Sequence, residues 1–248
     1  MMDKYWNIHL SLSWSEHNNP VTIREVAQTF CDITTLLMEY DPEKFSNRTL
    51  WPSPKNTIIK DKSDLIADTI AHYLLAEHKQ DIRTQVKIQN PDINYDGRWE
   101  GYGLSLRAHK GIEPLDVSFW LGGNHGDKVN MLFAIKIPDN VEWYEKLLKR
   151  LITEFAPNHA SIYSDEFVWT TRSKDFYSCY CGWINYFDQS FNIPQPDFEV
   201  ATFEVFNNGV YIKTIDEVFD YENSKHVEIG KQEVEFLREC NIIKPKTY

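Results

Sequence analysis

The sequence predicts an α+β protein, an antiparallel-rich sheet packed by long helices, from three observations. Trp6, Ile8, Leu10, Leu12 and Trp14 alternate with polar neighbours, the period of a half-buried strand. Ile23, Val26, Ala27, Phe30, Ile33, Leu37 and Met38 recur at helical spacing. Near the end, Asn207, Asn208 and Gly209 separate two β-rich runs, FEVATFEVF and VYIKTI, a strong hairpin signal. Long helices packed on an antiparallel-rich sheet make an α+β arrangement.

The elements follow in order. After the first strand, Asn18, Asn19 and Pro20 break the pattern. Thr22 with Glu25 three residues on makes a capping box, starting a helix near Ile23 that runs to about Met38. The prolines between Asp41 and Lys60 read as irregular chain. Ser63 caps a second helix, with Leu65, Ile66, Ile70, Tyr73, Leu74 and Leu75 on its apolar face.

Strands then come in YGLSLRAHK, PLDVSFWLGG and NMLFAIKIP, punctuated by Gly111, Gly122, Gly123 and Gly126. Asn140 precedes a helix with Trp143, Leu147, Leu148 and Leu151 at helical spacing. SIYSDEFVWTT and FYSCYCG read as further strands, and Trp183, Tyr186 and Phe187 fit one face of a short helix. Asn223 or Ser224 caps a terminal helix with Val227, Val234, Leu237 and Cys240 on its buried stripe. Two β-α-β-β-like sections begin near Trp6 and near Met131. Together they make a single domain, residues 1–248, with a pseudo-repeat boundary near 126–140.

At 248 residues the chain can bury a sizeable core without metal or disulfide. Its net charge of −11, with no Lys/Arg run, argues against general nucleic-acid binding. Acidity favours a basic partner, because complementary potentials steer encounter, and it equally serves solubility. From Asp197 to Glu239 there are eleven acids against four bases, so most of the imbalance sits there. The start of the chain has no signal-peptide pattern, and no apolar run is long enough to span a bilayer. Cys31, Cys179, Cys181 and Cys240 show neither CxxC pairing nor zinc spacing, which fits reduced thiols and a cytoplasmic protein.

Chemistry-bearing constellations are few. The Gly122–Asp127 loop, GGNHGD, could place His125 and Asp127 as acid and base or on a metal, as in a small metal-dependent hydrolase. It lacks the lysine and Ser/Thr of a phosphate-binding loop, and a glycine-rich hairpin explains it as well. His9, His72, His78 and His109 lack metal-ligand spacing and read as packed or surface groups. No catalytic residue, cofactor site or metal site is assigned.

Binding residues are easier to nominate. Tyr180, Trp183 and Tyr186 lie in an aromatic knot that serves either as core or as interface anchors. Asp216, Glu217, Asp220 and Glu222 precede the last helix, where acids favour its dipole. Glu228 and Glu235 fall outside that helix's buried stripe. These nine residues are the candidates for contact with a protein partner.

The C-terminal third also resembles a family. Gly182-Trp183 followed by Tyr186, Gly209 before a short strand ending at Thr214, Asp216 with Phe219, then Asn223, His226 and Val227 and a helix ending at Ile242-Ile243 resemble the immunity protein 52 family of bacterial polymorphic toxin systems. The resemblance spans residues 176–243, and residues 1–126 add little to it. It implies a non-enzymatic antitoxin acting in bacterial competition, type VI secretion among its settings. The implied partner is a cognate nuclease toxin, similar to restriction endonucleases, encoded nearby and neutralised by protein binding. A regulatory scaffold for another basic protein is the other non-enzymatic reading.

Overall fold

The computed structural model describes residues 6–14, 23–53, 56–77, 102–107, 115–121, 128–135, 140–171 and 181–243. Ten strands are found among them: β1 (Trp6–Ser13), β2 (Arg48–Trp51), β3 (Ile58–Ile59), β4 (Tyr102–Arg107), β5 (Leu115–Leu121), β6 (Lys128–Ile135), β7 (His159–Ser164), β8 (Ile184–Asp188), β9 (Thr202–Phe206) and β10 (Gly209–Lys213). The helices are α1 (Ile23–Tyr40), α2 (Pro42–Phe45), α3 (Ala67–Glu77), α4 (Val141–Phe155), α5 (Asp165–Thr171) and α6 (Ser224–Glu239). Pairing is antiparallel in the registers of β2 with β3 and β4, β4 with β5, β8 with β7 and β10, and β9 with β10. The fold is α+β, as the sequence predicts.

The chain divides into two compact units, one of Ser13–Met131 and one of Met1–Leu12 with Leu132–Tyr248.

In the Ser13–Met131 unit, strands run in the order β3-β2-β4-β5. Leu115, Val117, Phe119 and Leu121 are buried while Asp116 and Trp120 are exposed, the period-two alternation of a sheet with one covered face. The amphipathic α1 covers that face, and Phe30 meets Phe119 edge-on at 4.7 Å. Strands β2 and β3 lie where the sequence suggested irregular chain. They are too short for alternation to stand out: two residues of β2 pair with β3 and three with β4. Arg48 is buried there and donates from Nε to the Lys44 carbonyl at 2.8 Å, occupying one of the carbonyls that end α2. The second helix begins at Ala67; Ser63 sits in a separate 3-10 turn that Asp61 caps with a capping box.

In the other unit the order is β1-β7-β8-β10-β9. Its sheet carries a helix on each face, with β9 left open at Val205. Helix α4 buries Tyr144, Leu147, Leu148, Leu151 and Ile152, with Lys149 above the Tyr211 ring at 4.4 Å. Asn140 caps it, accepting from the Glu142 amide. Helix α6 lies over the opposite face, where Phe236 meets Phe198 and Glu233 meets Asn185.

Two sequence expectations fail in this unit for local reasons. The SIYSDEFVWTT strand stops at Ser164, because Ser164 Oγ accepts from the Phe167 amide and turns the chain into α5. Asp165 and Glu166 in the first turn of α5 suit that helix start. The short helix expected around Trp183, Tyr186 and Phe187 is instead β8, with Ile184–Phe187 buried on both faces, so no alternation was visible. His9, expected to be packed or on the surface, stacks on Tyr163 at 4.6 Å and meets Asp165 at 3.1 Å.

Candidate protein-binding surface

The surface is built on β8 and β10. Gly182 begins it: a Cβ there would sit 1.9 Å from the Ile162 carbonyl oxygen, so only glycine lets the chain lie against β7. Its amide donates to Asn185 Oδ1, and Asn185 Nδ2 donates back to the Gly182 carbonyl, closing the turn. Trp183, 1% exposed, then faces Phe219 at 6.4 Å and Phe167 at 6.2 Å. Tyr186 is also 1% exposed and donates its hydroxyl to the Asn207 carbonyl at 2.8 Å. Burial, and to a lesser degree Asp188, pushes the Tyr186 phenol above its ordinary value.

Trp183 and Tyr186 are therefore core groups, and as interface anchors they are corrected. Their rings are consumed by packing and present nothing to a partner. Tyr180 and the Gly122–Asp127 loop, with His125 and Asp127, lie outside the described residues.

The acids stand differently. Thr214 leaves β10 with its amide donating to the Trp183 carbonyl at 3.0 Å. Ile215 and Phe219 are buried, and His226 accepts the Asp220 amide at Nδ1 over 3.1 Å. These four attachments hold the segment between β10 and α6 to the core. Asp216, Glu217 and Glu222 are exposed along it, with half-buried Asp220 and exposed Tyr221 between them. Asp220 Oδ1 accepts the Glu222 amide at 3.0 Å, which fixes the local bend.

Asn223 caps α6, and the first turn of that helix contains no acid. The loop carboxylates thus precede the cap and lie outside the first helical turn. Lys213 is their basic neighbour, 2.8 Å from Asp216 and 3.1 Å from Glu145. Burial alone would lower Lys213, but the Asp216 and Glu145 carboxylates outweigh it and hold the amine above its ordinary value. The Asp216 side chain keeps 73% exposure despite this pair.

On α6, Glu228 and Glu235 are both exposed, about 10 Å apart along the helix by rise per residue. Glu235 is paired with Arg238 at 2.9 Å, and exposed Lys225 and Lys231 share the helix. The helix surface is thus mixed in sign, whereas the Asp216–Glu222 loop carries carboxylates only.

Glu233 was not nominated from sequence. It is 1% exposed, accepting from Asn185 Nδ2 at 2.7 Å and Thr214 Oγ1 at 3.0 Å. The spacing of Gly230, Glu233, Val234 and Leu237 puts it on the buried stripe, so the signal was present in the helical period. It joins β8, the loop start and α6, a structural role. Among the described residues no three His, Cys, Asp or Glu side chains form a metal-binding group. Among them, too, no helix is long and apolar enough to cross a membrane.

Fold and surface together define a class, an α+β protein with an acidic loop pinned to its core. No protein-family model and no curated protein matches the sequence, so neither comparison supports the immunity protein 52 resemblance. Among solved structures the chain is similar to Pseudomonas aeruginosa T6SS protein PA0821, with 12% identity and a TM-score of 0.41. The likeness covers 84% of this chain and 65% of that one.

Proposed function

We propose that the protein is a cytoplasmic immunity protein that neutralises a cognate nuclease toxin by stoichiometric binding. The observation that carries the reading is the Asp216–Glu222 loop: four carboxylates in seven residues, fixed by the buried Phe219 and Ile215. A nuclease needs a positive surface to hold phosphates, and a rigid acidic loop complements such a surface. Rigidity matters because contacts made by preordered groups lose less entropy on binding. The immunity protein 52 resemblance includes Asp216, Phe219, Asn223 and His226, the residues that build and pin this loop.

The test is co-production with the product of the neighbouring reading frame. The reading expects growth to be rescued and a one-to-one complex to elute together on size exclusion. Growth arrest in the presence of this protein, with no complex formed, overturns it.

A further inference from the structure

Strand β9 ends the strand order of its unit, with β10 on one side and no strand on the other among the described residues. The hairpin register decides which backbone groups face outward. Phe206 and Gly209 flank the two-residue turn, where Asn207 and Asn208 both have positive φ. That geometry makes Phe206–Gly209 a hydrogen-bonded pair, and alternation extends this to Glu204–Tyr211 and Thr202–Lys213. Phe203 and Val205 take the intervening positions, so their N–H and C=O groups point away from β10. Neither finds a backbone partner there among the described residues.

Natural sheets blunt such an edge with lysine, proline, a bulge or a covering segment. The TFEVF strand has no lysine, proline or glycine. Its one charge, Glu204, is turned to the α4 face and paired with Lys149 at 2.8 Å. Val205, 84% exposed, stands on the opposite face beside its cross-strand neighbour Val210.

Charge selects the occupant. From Gln189 to Ile212 the chain carries Asp197, Glu199 and Glu204 and no Lys or Arg; Glu204 is held by Lys149, while Asp197 and Glu199 stay exposed, Glu199 with Lys225 3.9 Å away. A basic chain laid along β9 meets the exposed Asp197 and Glu199 beside it, because an ion pair as exposed as Lys225–Glu199 holds its carboxylate only weakly.

We propose that β9 is a docking edge on which an extended segment of a basic partner protein adds as a further strand. Its main chain bonds Phe203 and Val205, its apolar side chains cover Val205 and Val210, and its Lys or Arg residues reach Glu199. This is the strand-addition mode of peptide recognition. It rests on the basic-partner reading above and supplies the docking mode.

Val205→Pro removes one outward N–H and obstructs the edge, yet spares the hairpin ladder, because Val205 donates nothing to β10. Val205→Lys is the control variant: it keeps every backbone group and places a repelling charge at an exposed position. The probe is the peptide Lys-Lys-Thr-Val-Thr-Val-Thr-Lys-Lys, followed by amide NMR of the full chain. In the free protein, Phe203 and Val205 amides should exchange roughly a hundredfold faster than Glu204 and Phe206. The peptide should shift and protect those two amides, and both variants should bind it roughly tenfold or more weakly. A peptide with Glu in place of every Lys should not bind.

Protected Phe203 and Val205 amides in the free protein, shifts elsewhere, or equal binding by the variants overturn the proposal. A concentration-dependent dimer that Val205→Pro abolishes assigns the edge to a second copy instead and overturns the choice of occupant. If the neighbouring product is neutralised equally by wild type and Val205→Pro, the docking edge fails and the immunity reading stands. If the peptide protects the edge while that product is never bound, the edge stands and the immunity reading fails.

Discussion

The aromatic segment around Trp183 and the acidic loop around Glu217 touch each other, since Thr214 bonds the Trp183 carbonyl, yet they have opposite fates. Trp183 and Tyr186 face inward and carry packing. Asp216, Glu217 and Glu222 face outward on a loop held by Phe219. Residue type alone would nominate both for binding, because Trp and Tyr are common interface anchors. Burial separates them: one region supplies rigidity and the other presents charge. The comparison teaches that the motif resembling immunity protein 52 is part scaffold and part surface, and substitutions should sort accordingly.

The largest effect is expected on the scaffold side. Trp183→Ala should cost about 3–5 kcal/mol of unfolding free energy in urea, because it empties a fully buried site between Phe167 and Phe219. A loss below about 1 kcal/mol would return Trp183 to the surface candidates. Glu233→Ala should cost about 1–3 kcal/mol, since Asn185 and Thr214 lose their acceptor inside the core.

A smaller, pH-dependent effect comes from Glu145. Burial alone would raise its carboxyl, but the Lys213 and Lys149 amines at 3.1 and 3.3 Å prevail and hold it below its ordinary value of 4.5. A depressed folded value means stability that is present above 4.5 and lost as pH falls through the folded value. Glu145→Gln should therefore flatten the acid limb of the stability curve, while wild type falls steeply there. An unchanged acid limb would show that this network is not what links α4 to β10.

The smallest effect is chemical. Cys31 is buried, and burial with nearby Asp32 pushes its thiol up to about 12. Native Cys31 should resist alkylation at pH 8 until the protein unfolds, as checked by mass spectrometry. Half-buried Cys240, also raised by burial and Glu239, should react slowly but before Cys31.

Legibility in the sequence followed the length of each element and the number of faces it buries. Strand β1, helices α1, α4 and α6, and the Asn207-Asn208-Gly209 hairpin each carry a long period or a specific turn, and all were readable. Strands β2 and β3 are too short for a period. Strand β8 buries both faces and so shows no alternation, while α5 hides in β-branched and aromatic residues behind a serine cap. The exposure of Asp216, Glu217, Glu222, Glu228 and Glu235 was readable because charge favours water. The aromatic candidates were not, since a ring packs as readily as it binds.

The central claim is that the Asp216–Glu222 loop attracts a basic protein without supporting the fold. The most direct test replaces Asp216, Glu217 and Glu222 by their amides and measures association with the neighbouring gene's product at several salt concentrations. Stability should change by no more than about 0.5 kcal/mol per site. The association rate should fall roughly tenfold at low salt, and the two proteins should converge as salt screens the charges. Identical rates at low salt, or a variant that no longer folds, would contradict the account.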